Sequence, residues 1–294
     1  MTELPPLTLH KLAPDPSAEW KQSLAFMALG ADDRLAMAQT TETLLRRAPE
    51  LVVGTYDYLL SVPETAAILG WESGADEAHL AERRQFFAVW LARTLGLDTS
   101  DEFAHYLFHA GKLHAAHGPR KTFVPPTYIN GAIGLVMASF STYMLEAGLP
   151  AALIAKSSAG WNKYLMAQLH LMLLGYEVAM ALDDGEAVIP VTLYARMQTM
   201  VGKSEVAVHV HEGAQTAVLL QKFFSYYPHA RHDALETVWE SRENEEDLWE
   251  KVAPVYVPKF GWRVLKNGRD LNYDGGFVAP LHTGDTIAIF PPGR

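Results

Sequence analysis

The sequence predicts two domains: an all-α domain over residues 1–185, then an α+β domain over residues 186–294. Three observations carry this reading. From about Ser17 to Leu182 apolar residues recur at helical spacing, and no stretch alternates with period two. Prolines and glycines punctuate that region at its joints, among them Gly30, Pro49, Pro63, Gly96, Pro125, Pro126, Gly148 and Pro150. After Asp183-Asp184-Gly185 the chain turns to short β-branched runs separated by turn residues.

The elements follow in order. Pro49, Pro126 and Pro150 each stand where a first helical residue belongs, because a ring without an N–H loses nothing there. One helix is expected from about Asp76 to Leu95. Thr99-Ser-Asp-Glu102 reads as a capping box, with Thr99 as the cap of a helix that runs to about Gly118. Ile129 to Leu145 is the most apolar stretch. It is too short for a membrane span and carries Ser139, Ser141 and Thr142, so a buried helix is expected.

In the second domain Val188–Arg196 is β-rich and Glu205–His211 alternates like a half-buried strand, with Gly202-Lys203 between them as a hairpin turn. Gln215–Tyr227 has the spacing of an amphipathic helix, with Val218, Leu219 and Phe223 on one face. Trp262–Lys266 is a strand that ends on the turn signal Asn267-Gly268, and Thr286–Phe290 is the last strand. The order β-β-α-β-β predicts a small α+β domain. Glu236 to Lys251 holds seven acidic residues against two basic ones, with Trp239 and Trp249 among them. This acidic insertion, near 236–259, is expected to be a solvated helix or loop. A sharper reading makes it a docking surface with two aromatic anchors.

Composition narrows the chemistry. The chain has 294 residues, 49% hydrophobic and 20% charged, enough to build a buried core. Its formal net charge of −10 speaks against nucleic acid or an anionic membrane as partner. Without cysteine it has no disulfide, thiolate zinc site, iron–sulfur cluster or thiolate-ligated haem. Twelve histidines make imidazole the natural metal ligand. The N-terminus, Met1-Thr-Glu-Leu-Pro-Pro, lacks the basic and apolar regions of a secretory signal, so a cytoplasmic location is expected.

On the helix expected from Ser100 to Gly118, Phe103, Tyr106, Leu107, Ala110, Leu113, His114 and His117 share one broad face. His105 and His109 fall roughly opposite, on the side expected to face solvent. An imidazole inside an apolar stripe needs partners for both ring nitrogens. Periodicity alone leaves His114 and His117 tied. A ferrous haem would need one neutral imidazole whose other N–H is held by a carbonyl, and the carbonyl near Ala110, one turn before His114, suits that task. Phe86, Phe87 and Trp90 can form an apolar opposite wall, and Tyr56 one hydroxyl donor.

These residues resemble a family. Lys112-Leu-His-Ala-Ala-His-Gly118 followed by Pro125-Pro-Thr-Tyr-Ile-Asn-Gly-Ala132 is similar to the signature of protoglobins and globin-coupled sensors. Thr55-Tyr-Asp-Tyr-Leu-Leu-Ser-Val-Pro-Glu-Thr65 resembles the family's distal-tyrosine segment, and Arg83-Arg-Gln-Phe-Phe-Ala-Val-Trp-Leu91 sits where the distal helix belongs. The resemblance covers about residues 17–182. It implies a globin fold that binds haem b, with His114 and not His117 as the iron ligand. It places Tyr56 at the distal tyrosine position and adds Leu113 and Tyr128 to the pocket with Phe86, Phe87 and Trp90. Two departures stand out: Pro119–Phe123 reads as an insertion of about five residues, and Thr55 replaces the usual Phe. Globins of this type dimerise through their last two helices, here about Pro126–Gly148 and Ala151–Leu182.

In the second domain Val191–Met197, Gly202–Glu205, Glu212-Gly213-Ala214 with Leu219-Leu220, Asn267–Asp270 and Leu281–Pro292 resemble the ubiquitin-like sulfur carriers of molybdopterin and thiamine synthesis (MoaD/ThiS-like). The resemblance implies a β-grasp fold. Those carriers end in Gly-Gly, and this sequence ends Pro292-Gly293-Arg294, so the sulfur-carrier reaction is not expected. The combined expectation is a haem protein that binds a diatomic gas (O2, CO or NO) as sensor or carrier, with the β-grasp domain as output or docking module for a protein partner. The alternatives are a haem-free globin scaffold joined to a ubiquitin-like adaptor, or an NO-detoxifying haem enzyme. The latter would need an outside electron donor, since the chain shows no flavin or iron–sulfur domain. An enzymatic role is not the favoured reading.

Overall fold

The computed structural model describes residues 7–242 and 251–292. The chain parts into two compact units, residues 15–177 and, within the described range, residues 7–14 with 178–292. The first residues thus lie outside the helical unit: Leu9 exchanges backbone hydrogen bonds with Tyr256 at 2.8 and 2.9 Å.

The helical unit is built from α1 (Pro16–Phe26), α2 (Ala31–Ser61), α3 (Pro63–Leu69), α4 (Glu77–Leu95), α5 (Asp101–His114), α6 (Pro126–Glu146) and most of α7 (Ala151–Leu182). Side-chain caps start several of them. Asp15 accepts from Ser17 N and Ala18 N, and Asp76 accepts from Ala78 N, each satisfying N–H groups that have no partner in the helix. The cap of α5 is Ser100 and not Thr99. Asp98 holds the Ser100 N–H and hydroxyl, and Ser100 Oγ accepts from Phe103 N. The helix also ends sooner than expected, at His114, with Ala115 as its C-cap.

Pro49 does not start a helix but sits inside the 31 residues of α2. Its neighbours Leu45 and Arg46 are solvent-facing, so the carbonyl its ring leaves without an N–H partner lies on the wet side, where helix bonds lengthen anyway. Pro126 opens α6 as its first residue, and the Pro150 carbonyl accepts from Ile154 N at the start of α7. The core gathers aromatic rings: Trp20 packs on Phe103 and Tyr164, and Trp161 on Phe140 and Tyr164.

Two glycines decide how α5 lies on α7. A Cβ on Gly111 would stand 1.8 Å from the Met172 carbonyl oxygen, and one on Gly175 would stand 1.9 Å from that of Phe108. The two backbones therefore meet through reciprocal glycines, and only hydrogen fits at either point. By length and composition α6 and α7 could each cross a membrane. In α7 61% of the most apolar window is buried, in α6 only 28%.

The second unit holds β1 (Ala187–Leu193), α8 (Ala195–Val201), β2 (Glu205–Val210), α9 (Thr216–Tyr226), α10 (Pro228–Ala234), β3 (Leu235–Arg242), β4 (Lys251–Pro258), β5 (Arg263–Lys266), β6 (Arg269–Asp270) and β7 (Ile287–Phe290). Its main sheet has the order β2-β1-β7-β5-β6. The first and last strands, β1 and β7, run parallel at its centre and the other pairs are antiparallel. Leu219, Leu220, Phe223 and Phe224 of α9 are buried, as are Ile189 and Val191 of β1 and Ile287 and Ile289 of β7. A mixed sheet with central parallel termini and one long helix after the first hairpin is the β-grasp, ubiquitin-like arrangement.

Two expectations need correction. The β1–β2 connection is not a tight hairpin turn: α8 fills it, and Gly202 ends that helix at φ 76°. Glu236–Lys251 is neither helix nor loop in its described parts. Leu235–Arg242 and Lys251–Pro258 pair as an antiparallel two-stranded sheet. The acidic side chains of β3 mask its alternation in the sequence, because an exposed ribbon can carry charge. Trp239 is 66% exposed on β3. Trp249, Gly293 and Arg294 lie outside the described residues. Asn267 and Gly268 form the expected turn, both at positive φ (48° and 81°) between β5 and β6.

Candidate functional site

The site is organised around the end of α5. His114 is the last residue of that helix, one turn after the Gly111 contact that fixes α5 on α7. Its Nδ1 lies 2.7 Å from the Ala110 carbonyl oxygen. A carbonyl only accepts, so Nδ1 carries the proton and Nε2 presents a lone pair. Among the described residues nothing hydrogen-bonds to Nε2. Burial, ahead of the Arg83 charge, holds the imidazole below its ordinary pKa, so the ring is neutral at pH 7 although it keeps partial solvent access.

His117 lies beyond the helix. Its N–H reaches back to the Lys112 carbonyl at 3.1 Å, so it shares neither the helical face nor the geometry of His114. His105 is half-buried, with Nε2 3.3 Å from Ser17 Oγ, because α1 covers the side expected to be wet; His109 is exposed.

The loop after His114 is anchored. Val124 N donates to the His114 carbonyl at 2.8 Å, and Ala115 and Phe123 form a β-bridge. Residues 119–123 therefore return the chain to His114 before α6 begins. Leu113 turns toward Gly118, where its Cδ2 would stand 3.3 Å from an added Cβ. Tyr128 is half-buried in the first turn of α6.

Three other predicted residues form one ring cluster. Tyr56 meets Phe87 edge to face at 6.2 Å, and Phe87 stacks on Trp90 at 5.3 Å and 12°. Trp90 Nε1 donates to Gln168 Oε1 at 2.8 Å, which fixes the indole from the fully buried side. The Tyr56 hydroxyl donates to the Arg83 carbonyl at 2.9 Å, and burial pushes its pKa up to about 12, so it stays a neutral donor. Phe86 is not brought into this cluster. It is 51% exposed, with the Arg83 guanidinium 5.8 Å from its ring centre, because adjacent helical residues point about 100° apart.

Sequence reasoning missed Arg83, Gly111 and Gly175. Arg83 lies one turn before Phe87, binds Tyr56 through its carbonyl, and places a positive charge that both Tyr56 and His114 feel. The glycines did carry a signal: glycine inside a helix costs about 1 kcal/mol against alanine, which asks for a packing reason. Among the described residues no three His, Asp or Glu side chains converge on one point, so a lone imidazole is the donor this site offers.

A family model described as Protoglobin matches residues 17–181. Among solved structures, the globin domain of a Geobacter sulfurreducens globin-coupled sensor is 18% identical over 53% of this chain and 96% of that domain, with a TM-score of 0.44. The small archaeal modifier protein 1 from Methanosarcina acetivorans is 21% identical over 36% of this chain and 93% of its own, with a TM-score of 0.28. Its counterpart from Haloferax volcanii is 18% identical over 37% of this chain and 98% of its own, with a TM-score of 0.26. No protein with a curated description matches the chain.

Proposed function

This chain belongs to the protoglobin family by its match over residues 17–181, and on that premise we propose that its helical unit binds haem b with His114 as the iron ligand. The iron would supply an open position for a diatomic gas: O2, CO or NO. One observation carries the assignment. The Ala110 carbonyl holds Nδ1 of a neutral imidazole at 2.7 Å and leaves Nε2 free, the second-sphere arrangement that fixes a histidine ligand in the right tautomer. Phe87 and Trp90 would form the apolar wall and exclude water, with Gln168 locking the indole. Tyr56 would be the hydroxyl donor of that side. Leu113 and Tyr128 complete the proposed lining, and Phe86, which faces solvent, drops out of it.

We assign the β-grasp domain the role of output or docking module, and place the protein in the cytoplasm. A homodimer through α6 and α7 is supported by the shape of α6. Residues 126–145 carry no charge, and Gly131, Gly134, Leu135, Ala138 and Leu145 face outward, Leu145 at 69% exposure. Light scattering is expected to give twice the chain mass, and Leu135→Lys to lower it. A monomeric wild type contradicts this part.

The test of the haem assignment is haemin titration of the purified chain. A saturable Soret band at one haem per chain is expected. His114→Gly should lose it and regain it on adding free imidazole, which takes the vacated ligand position. Lack of any Soret band in the wild type leaves the haem-free scaffold and adaptor as the standing reading.

A further inference from the structure

Arg83 is a partly buried cation that lacks an anion. Its neighbours are paired: Arg84 with Asp57 at 3.0 Å, Arg93 with Asp98 at 2.7 Å and Arg120 with Glu82 at 2.8 Å. Among the described residues no carboxylate lies within ion-pair distance of Arg83. Instead its Nε points at His79 Nε2 at 3.0 Å. That acceptor is contested, because Trp71 Nε1 points at Nδ1 of the same ring at 3.1 Å. Both groups only donate, and a neutral imidazole accepts at one nitrogen. His79 is 6% exposed, and burial followed by the charges of Arg83 and Arg120 holds its pKa below the ordinary value. In either tautomer one of the two N–H groups meets another N–H. A guanidinium in this position is poorly served by the protein alone.

His79 also lines a cleft of about 610 Å³, together with Trp71, Asp76, Arg120, Lys121 and Thr122. Arg120, Lys121, Thr122 and Phe123 belong to the loop after α5, which is tied back to the His114 carbonyl through Val124 and to Ala115 through Phe123. The cleft therefore adjoins the end of α5. Among its lining residues Arg120 and Lys121 are cationic and Asp76 is anionic, and Arg83 borders the cleft through His79, its hydrogen-bond partner.

We propose that Arg83, aided by Lys121 from the loop after α5, binds the carboxylates of the ligand that fills the pocket, the propionate groups of haem. The inference rests on the haem reading of the site. A carboxylate can take two parallel N–H bonds from a guanidinium and would leave His79 to accept from Trp71 alone.

The test uses full-length protein with iron-free protoporphyrin IX and its dimethyl ester, followed by quenching of tryptophan fluorescence. Without iron, ligation by His114 does not enter. The free acid is expected to bind about tenfold more tightly than the ester, the worth of one charge-assisted hydrogen bond. Arg83→Gln should remove most of that preference and Lys121→Gln part of it. Arg84→Gln, whose guanidinium is already paired, should leave it intact. Equal affinity of acid and ester for the wild type overturns the inference, and that comparison needs no variant to fold. An undiminished preference in Arg83→Gln overturns it as well. Haemin binding with no acid preference sinks this inference alone, whereas failure of haemin and both porphyrins to bind sinks it together with the haem reading.

Discussion

A neutral imidazole can bind iron and a protonated one cannot, so the state of His114 decides what the site can do. Burial lowers the pKa of His114 and of His79, where the Arg83 and Arg120 charges add to it. The sign follows from linkage. The folded chain keeps these rings neutral, while the unfolded chain takes up their protons below about pH 6.5, so acid favours unfolding. The stability they permit is complete above that value and is lost as pH falls from about 6.5 toward their lowered folded-state pKa values. The melting temperature of haem-free protein is expected to drop between pH 7 and pH 5, and His114→Leu should flatten that slope. An unchanged slope in the variant would show that the ring is not buried as described. The Ala110–His114 contact was legible from spacing alone, because it joins residues one helical turn apart. The choice between His114 and His117 was not, since it turns on where α5 stops, and helix ends are the least certain feature of a pattern. Arg83 was hidden for another reason: its partners Tyr56 and His79 are packing neighbours across and along helices, with no motif to announce them.

At the scale of elements, the reciprocal glycines at the α5–α7 crossing set the height of α5, and with it His114. Gly111→Ala places a methyl group 1.8 Å from the Met172 carbonyl oxygen, which no side-chain rotation can relieve. Such overpacking is expected to cost about 2–3 kcal/mol, or roughly 5–10 °C in melting temperature for a unit of this size. Gly175→Ala should do the same from the opposite backbone, and both should weaken haem binding. Gly131→Ala, which meets open space on α6, should leave haem binding unchanged and raise the melting temperature slightly, because alanine is the better helix former. Equal behaviour of the three variants would refute the crossing as described. Helices with caps and joints, such as α4 behind Asp76, were legible in the sequence. The two-stranded β3–β4 sheet was not, because its charges imitate a solvated loop. Nor was the run of α2 through Pro49, which a tertiary context with a solvent-facing carbonyl permits.

At the scale of the whole molecule, composition and the change of period near residue 185 separated an all-α part from an α+β part. What they missed is that residues 7–14 cluster with the C-terminal unit, through the pairing of Leu9 with Tyr256. Long-range pairing of this kind leaves no local trace. Because the proposed haem determinants all lie between Tyr56 and Tyr128, a fragment of residues 15–182 is expected to show the same haem spectrum as the full chain. A fragment that folds, by circular dichroism, yet shows a different spectrum would mean the C-terminal unit contributes to the site. The most direct test of the central claim is the absorption spectrum of full-length protein reconstituted with haemin, reduced, and recorded with and without CO. The account predicts a Soret band at one haem per chain that shifts on adding CO, is lost in His114→Ala and persists in His117→Ala. No band at that stoichiometry, or a band that survives His114→Ala unchanged, would contradict it.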